Sequence, residues 1–134
     1  MLRTIHLGLL AAAVFAGLGV SALAAPLSEE ARTFIEDTLF RARLMSNAEA
    51  ALKCCREAQQ SAAKYDPDPF YDGAIAKCIA QAERNLISQS KHAACFHYGH
   101  ALEGLQAVPA DHPRYSEAKD GMDHIRRDLV ELGC

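Results

Sequence analysis

The chain has 134 residues, of which 50% are hydrophobic and 23% charged, and its formal net charge at pH 7 is −3. This length fits a single domain, and the acidic balance argues against nucleic-acid binding, which needs a basic surface. Alanine is abundant and valine is scarce after the first 24 residues, so the composition favours helices over strands.

Residues 1–24 have the layout of a secretory signal peptide. A charged start that ends in Arg3 precedes an apolar run over 5–20 and small residues at Ala22 and Ala24. This layout predicts cleavage after Ala24, export to the periplasm or the exterior, and a single helical domain over 25–134. The alternative is an uncleaved anchor, but a run of roughly 16 residues is shorter than the ~20 that span a bilayer as a helix. No membrane span is predicted in the mature chain.

One or two helices are predicted between the leader and residue 66. Ser28 can cap a helix start, and the apolar residues that follow recur at three- and four-residue spacing, as on one helix face: Leu27, Ala31, Phe34, Ile35, Leu39 and Ala42. The stretch Ser46-Asn47-Ala48-Glu49 has the form of a capping box, which favours a second helix. Whether Arg43–Asn47 is a kink or a break stays open at this point.

Two proline-containing segments divide the rest of the chain. Asp66-Pro67-Asp68-Pro69 cannot lie inside a helix, and Asp68 followed by Pro69 predicts the start of the next one. A second break lies at 108–113, and Gly133 is placed to end the last helix. Apolar stripes at helical spacing fill the intervals, without a convincing strand pattern. The predicted fold is therefore all-α, a small antiparallel bundle of four or five helices.

Five cysteines follow the leader, and in a small exported domain they are expected first as disulfide partners. Cys55 and Cys78 lie at equal distances from the turn at Asp66-Pro67, so two antiparallel helices would bring them to the same height. Their bond would close a loop of about 24 residues, worth around 3 kcal/mol. Cys54 is a rival for Cys55, because a shift of one residue in the turn exchanges them.

Cys95 and Cys134 are the second candidate pair. Reflection through a turn near Ala110-Asp111 places Cys95 opposite residue 126, roughly 12 Å short of Cys134 at helical rise. The tail after Gly133 would then have to fold back. One cysteine is left over, and an intermolecular bond through Cys54 or Cys134 would produce a homodimer.

The candidate metal ligands are His92, Cys95, His97 and His100. Imidazole and thiolate groups bind transition metals and haem iron. His97 and His100 are three residues apart and so face the same way on a helix, which offers two ligands rather than four. The C-x-x-C-H signature of attached haem is absent. The simpler interpretation is a set of solvated helix residues beside a disulfide cysteine.

No catalytic residues are predicted, because serine, histidine and acidic residues form no ordered nucleophile pattern. The leading hypothesis is an exported, non-enzymatic helical protein without a cofactor, which binds a partner protein or small ligand. An inhibitor, an immunity-type protein or an assembly factor fits by fold-level analogy alone. The alternative is a metal- or haem-binding carrier that uses the His/Cys cluster.

Overall fold

The computed structural model describes residues 25–86 and 91–134, so the predicted signal peptide lies outside the described residues. These residues form five helices and no strand: α1 (Glu29–Leu44), α2 (Ala48–Ala62), α3 (Pro69–Arg84), α4 (Lys91–Gln106) and α5 (Tyr115–Leu132). The predicted all-α bundle is confirmed. Within the same residues, no helix is both long and apolar enough to cross a membrane.

Short polar side chains determine where three of the helices begin. Ser28 accepts a hydrogen bond from the Ala31 N–H at the start of α1, and Asp68 accepts one from the Phe70 N–H at the start of α3. The chain breaks fully between α1 and α2. The cap of α2 is Asn47, not the Ser46 of the capping-box pattern, because the Asn47 side chain accepts from the backbone N–H three residues on.

The helices pack in two layers, and α3 contacts all four of the other helices. One layer contains α1, α3 and α5. In the other layer, α2 lies against α1 and α3, and α4 lies against α3 and α5. The backbones of α1 and α5 do not contact each other anywhere in the described chain. α3 has the largest number of buried residues of the five helices, and one of its faces forms the floor between α1 and α5.

The contact between α3 and α4 is the most extensive in the bundle. Glycine on both helices permits this close approach. A Cβ atom added to Gly104 would lie 3.0 Å from the Cα atom of Gly73 and 3.2 Å from the Pro69 carbonyl oxygen. Tyr98 and Ala101, which follow the same side of α4, are fully buried.

Two disulfides join the layers. Cys55 of α2 is bonded to Cys78 of α3, with their Cα atoms 5.7 Å apart. Cys95 of α4 is bonded to Cys134, just after α5, with Cα atoms 5.9 Å apart. The free cysteine is Cys54, which is buried.

Placing Cys95 opposite residue 126 is wrong, because the connection between α4 and α5 is not a symmetric turn. His112 in this connection lies against the start of α3, with its Nε2 atom 3.4 Å from Asp68 Oδ2. Arg114 forms an ion pair with Glu36 of α1. At the other end of α5, Gly133 adopts φ +72°, the left-handed conformation that glycine accepts readily. Cys134 follows this turn and reaches Cys95.

Candidate functional site

A groove with a cavity volume of about 600 Å³ runs along α3 between α1 and α5. Tyr71, Ala74 and Lys77 lie on its floor, and Phe40 of α1 and Asp120 of α5 lie on its walls. A second cavity of about 530 Å³ continues it toward the carboxyl end of α3, since both are lined by Arg43, Cys78 and Gln81. We call the two together the α3 groove.

Hydrogen bonds tie the three helices of the groove together near the start of α3. The Tyr71 hydroxyl donates to Glu36 Oε1 at 2.7 Å, and the Arg114 guanidinium binds the same carboxylate oxygen. Arg114 also donates to Glu117 Oε1 at 2.7 Å. Burial raises the pKa of Tyr71 to about 12, and the hydrogen bond and charge of Glu36 add to the shift. The phenol therefore remains a protonated donor at neutral pH.

The middle of the groove contains two cations that form no ion pair with any described acidic residue. They are Lys77 on the floor, which is half-buried, and Arg43 on the α1 wall, which is exposed. The Arg43 guanidinium carbon lies 5.5 Å from the centroid of the Phe40 ring. Burial lowers the pKa of Lys77, the carboxylate of Asp128 opposes this shift, and the charge of Arg43 adds to it.

The far end of the groove is more polar. Arg84 binds Asp128 and Glu131 of α5, with nitrogen–oxygen distances of 3.4 Å in both pairs. The Tyr98 hydroxyl lies beside Arg84 and Asp128, but its geometry forms no hydrogen bond with a described group. Burial is the main cause that raises the pKa of Tyr98 to about 12.

The structure brings two of the four residues of the predicted metal cluster, His97 and His100, to one cavity. Cys95 is bonded to Cys134 and has no thiolate to offer, and His92 is exposed. His97 and His100 do face the same way, since both line a cavity of about 490 Å³ between α2, α3 and α4. Among the residues placed in the structure, no group of three or more histidine, cysteine or acidic side chains is arranged to hold a metal ion.

His97 has a partner that its position in the sequence does not reveal. Its Nδ1 atom lies 2.8 Å from Glu83 Oε2 and 3.1 Å from the Ala93 carbonyl oxygen. Both neighbours are acceptors, so Nδ1 carries the proton. Glu83 is only 8% exposed and also has Arg56 at 3.9 Å. The interaction joins α3 to α4. The buried carboxylate of Glu83 thus has both a hydrogen-bond partner and an ionic partner.

Sequence reasoning did not identify the α3 groove. Its signals are weak: Phe40 directly follows Leu39 and so departs from the single apolar face of α1, and Lys77 directly precedes Cys78 on α3. Comparisons of the chain with models of protein families, with curated proteins and with solved structures find no match. The geometry of the groove is therefore the basis for a functional proposal.

Proposed function

We propose that this chain is an exported, non-enzymatic protein that binds a segment of a partner protein in the α3 groove. The observation that carries the proposal is the composition of the groove. A half-exposed aromatic ring, Phe40, lines the same groove as the two cations without ion-pair partners, Arg43 and Lys77. Aromatic and arginine side chains dominate the binding energy of protein interfaces.

Further exposed apolar side chains extend the α1 wall. Phe40, Leu44 and Met45 are 53%, 71% and 38% exposed. Phe40 lines the groove and Met45 lines its continuation. Neighbouring exposed apolar side chains of this kind, bordered by polar residues, are typical of interaction surfaces. A partner that packs along α1 would remove them from water.

The shape of the groove favours a polypeptide segment over a compact small molecule. Its floor is α3, which has 16 residues and is therefore about 24 Å long. Helices bound the groove on two sides, and no described element covers it. Long open grooves of this kind accept a helix or an extended strand of a partner.

The cysteines support the proposed location of the protein. Disulfides form in oxidising compartments such as the periplasm and the exterior, and the structure contains two of them. Cys78, which lines the groove, is held in one of these bonds. Its sulfur is therefore not a free nucleophile.

Photo-cross-linking in the cell that exports the protein tests the proposal. Phe40 and, as a matched control, Phe96 are each replaced by p-benzoylphenylalanine, since both rings are exposed but lie on different layers. Illumination is expected to attach one defined protein to the Phe40 variant and none to the Phe96 variant. Identical products from both positions, or none from Phe40, would contradict a partner in the groove.

Metal analysis and an absorption spectrum of the protein from its native compartment provide a second test. A stoichiometric metal ion or a Soret band would overturn the proposal in favour of a carrier. In such a carrier, the candidate ligands would be His97 and His100, which line one cavity.

A further inference from the structure

Two cations without ion-pair partners, Arg43 and Lys77, lie in the middle of the α3 groove, which acidic side chains also line. The arginines at its two ends, Arg84 and Arg114, each bind two carboxylates. Arg43 and Lys77 line the same groove, and no acidic residue of the described chain forms an ion pair with either. The two cations in the middle are therefore available to an anion from outside.

The position of Lys77 makes such an anion favourable. Its ammonium group is half-buried on the helical floor, where it loses part of its hydration and forms no ion pair with a described carboxylate. Burying a charge without a counter-charge is costly. The pKa of Lys77 is lowered by this burial; Asp128 opposes the shift and Arg43 reinforces it. A bound carboxylate would add a counter-charge in direct contact with the ammonium group.

The surroundings select a carboxylate over a phosphate. Asp37, Glu117 and Asp120 line the same cavity as the two cations. A phosphate group carries close to two negative charges at neutral pH, so these acids would repel it more strongly than a carboxylate with one charge. The planar guanidinium of Arg43 can donate two parallel hydrogen bonds to a carboxylate.

We propose that Arg43 and Lys77 bind a carboxylate of the partner segment, next to an apolar residue that packs on Phe40. This inference rests on the proposed function and names the chemistry of its partner. The carboxylate belongs to an aspartate or glutamate side chain or to the carboxyl terminus of the partner.

Titration of the intact, oxidised protein with short peptides tests the inference. The probes are acetyl-Leu-Glu-Leu-amide, acetyl-Leu-Gln-Leu-amide and acetyl-Leu-Gln-Leu with a free terminal carboxylate, and binding is followed by the NMR side-chain signals of Arg43 and Lys77. A peptide with a carboxylate is expected to bind about tenfold more tightly than the neutral peptide, the usual effect of one charge-assisted hydrogen bond. Preference for the first or the third peptide identifies a side-chain or a terminal source.

Variants of the protein locate the binding site. Arg43→Gln and Lys77→Gln are each expected to reduce the preference for a carboxylate to less than about twofold, since each removes one of the two cations. Lys53→Gln removes an equal charge from an exposed position on α2 and is expected to leave the preference unchanged. Circular dichroism verifies the fold, and Arg43 is exposed, so its variant gives a reading even if the Lys77 variant does not fold.

Three results would overturn the inference: equal affinity for charged and neutral peptides, an Arg43→Gln variant with an unchanged preference, or inorganic phosphate that binds more tightly than both carboxylate peptides. Two further results distinguish failure of this inference from failure of the proposed function. If the cross-link at Phe40 persists in the Arg43→Gln, Lys77→Gln double variant, the carboxylate contact is refuted but the partner protein is not. If the protein prefers carboxylate peptides but no cross-link forms, the carboxylate contact is supported and the partner protein is refuted.

Discussion

Removing the disulfide between Cys55 and Cys78 is expected to lower the free energy of unfolding by at least about 3 kcal/mol. The bonded residues are 23 positions apart, and closing a loop of this size in the unfolded chain gives about 3.4 kcal/mol at 25 °C. Cys55 is fully buried and Cys78 is 8% exposed. Replacement of both by alanine therefore also leaves a void, whose cost adds to the loss of the bond.

Equilibrium unfolding in urea, followed by far-UV circular dichroism, measures this loss. About 3 kcal/mol is a large part of the ~5–15 kcal/mol that stabilises a domain, and the expected decrease in Tm is roughly 10–20 °C. The control is Cys54→Ala, which keeps both disulfides and removes only the buried free thiol. Its expected cost is about 1 kcal/mol.

Two results would refute this reasoning. One is a double alanine variant whose free energy of unfolding falls by less than about 1 kcal/mol, well below the loop-closure value. The other is peptide mapping under non-reducing conditions that finds Cys78 as a free thiol. A bond from Cys78 to Cys54 in the same experiment would assign the rival pairing.

Replacing Lys77 by methionine is expected to raise the free energy of unfolding by up to about 1 kcal/mol, because a half-buried ammonium without a partner is removed. In alkaline solution, stability is expected to fall between about pH 10 and pH 12, because unfolded tyrosine loses its proton near 10 while Tyr71 and Tyr98 keep theirs to about 12. Phenylalanine at both positions should remove this part of the pH dependence. Gly104→Ala is expected to cost about 1–3 kcal/mol, because the new Cβ presses on the α3 backbone. Gly99→Ala, whose new Cβ would have no described atom within 4 Å beyond its chain neighbours and the nearby backbone of its own helix, is expected to gain up to about 1 kcal/mol from helix propensity.

Urea unfolding of each variant checks these values, with the pH series measured on the native chain and the double phenylalanine variant in parallel. A less stable Lys77→Met variant would show that the ammonium has a stabilising partner. An alkaline transition that is the same with and without the two hydroxyl groups would contradict the raised pKa values. Equal effects at Gly99 and Gly104 would contradict the close approach of α3 and α4.

Features that depend on a few adjacent residues could be predicted from the sequence. Asp68 with Pro69 marks the start of α3, and Gly133 marks the end of α5. Cys55 and Cys78 lie at equal distances from the turn at Asp66-Pro67, which predicted their bond but left Cys54 as a rival for Cys55. The position of Cys134 was harder to predict, because it depends on the connection between α4 and α5. That connection is held by contacts between residues far apart in the chain, such as Arg114 with Glu36.

The candidate site could not be predicted, since it exists only after α1 and α5 have packed on either side of α3. In the sequence, Lys77 lies off the apolar stripe of its helix and resembles an ordinary solvated lysine. It becomes half-buried once the neighbouring helices are in place. The partner of His97 was hidden for the same reason, because Glu83 belongs to a different helix.

Both disulfides lie C-terminal to α1, so α1 is the one helix of the described chain that no disulfide ties to the others. It is also the wall of the groove that contains Phe40 and Arg43, and residues 45–47 connect it to α2. The other two helices of the groove each have a disulfide to the second layer, α3 directly and α5 through Cys134, which follows it. Opening the groove would cost side-chain packing and the hydrogen bonds at Glu36, but no covalent bond. A partner can therefore enter without straining either disulfide.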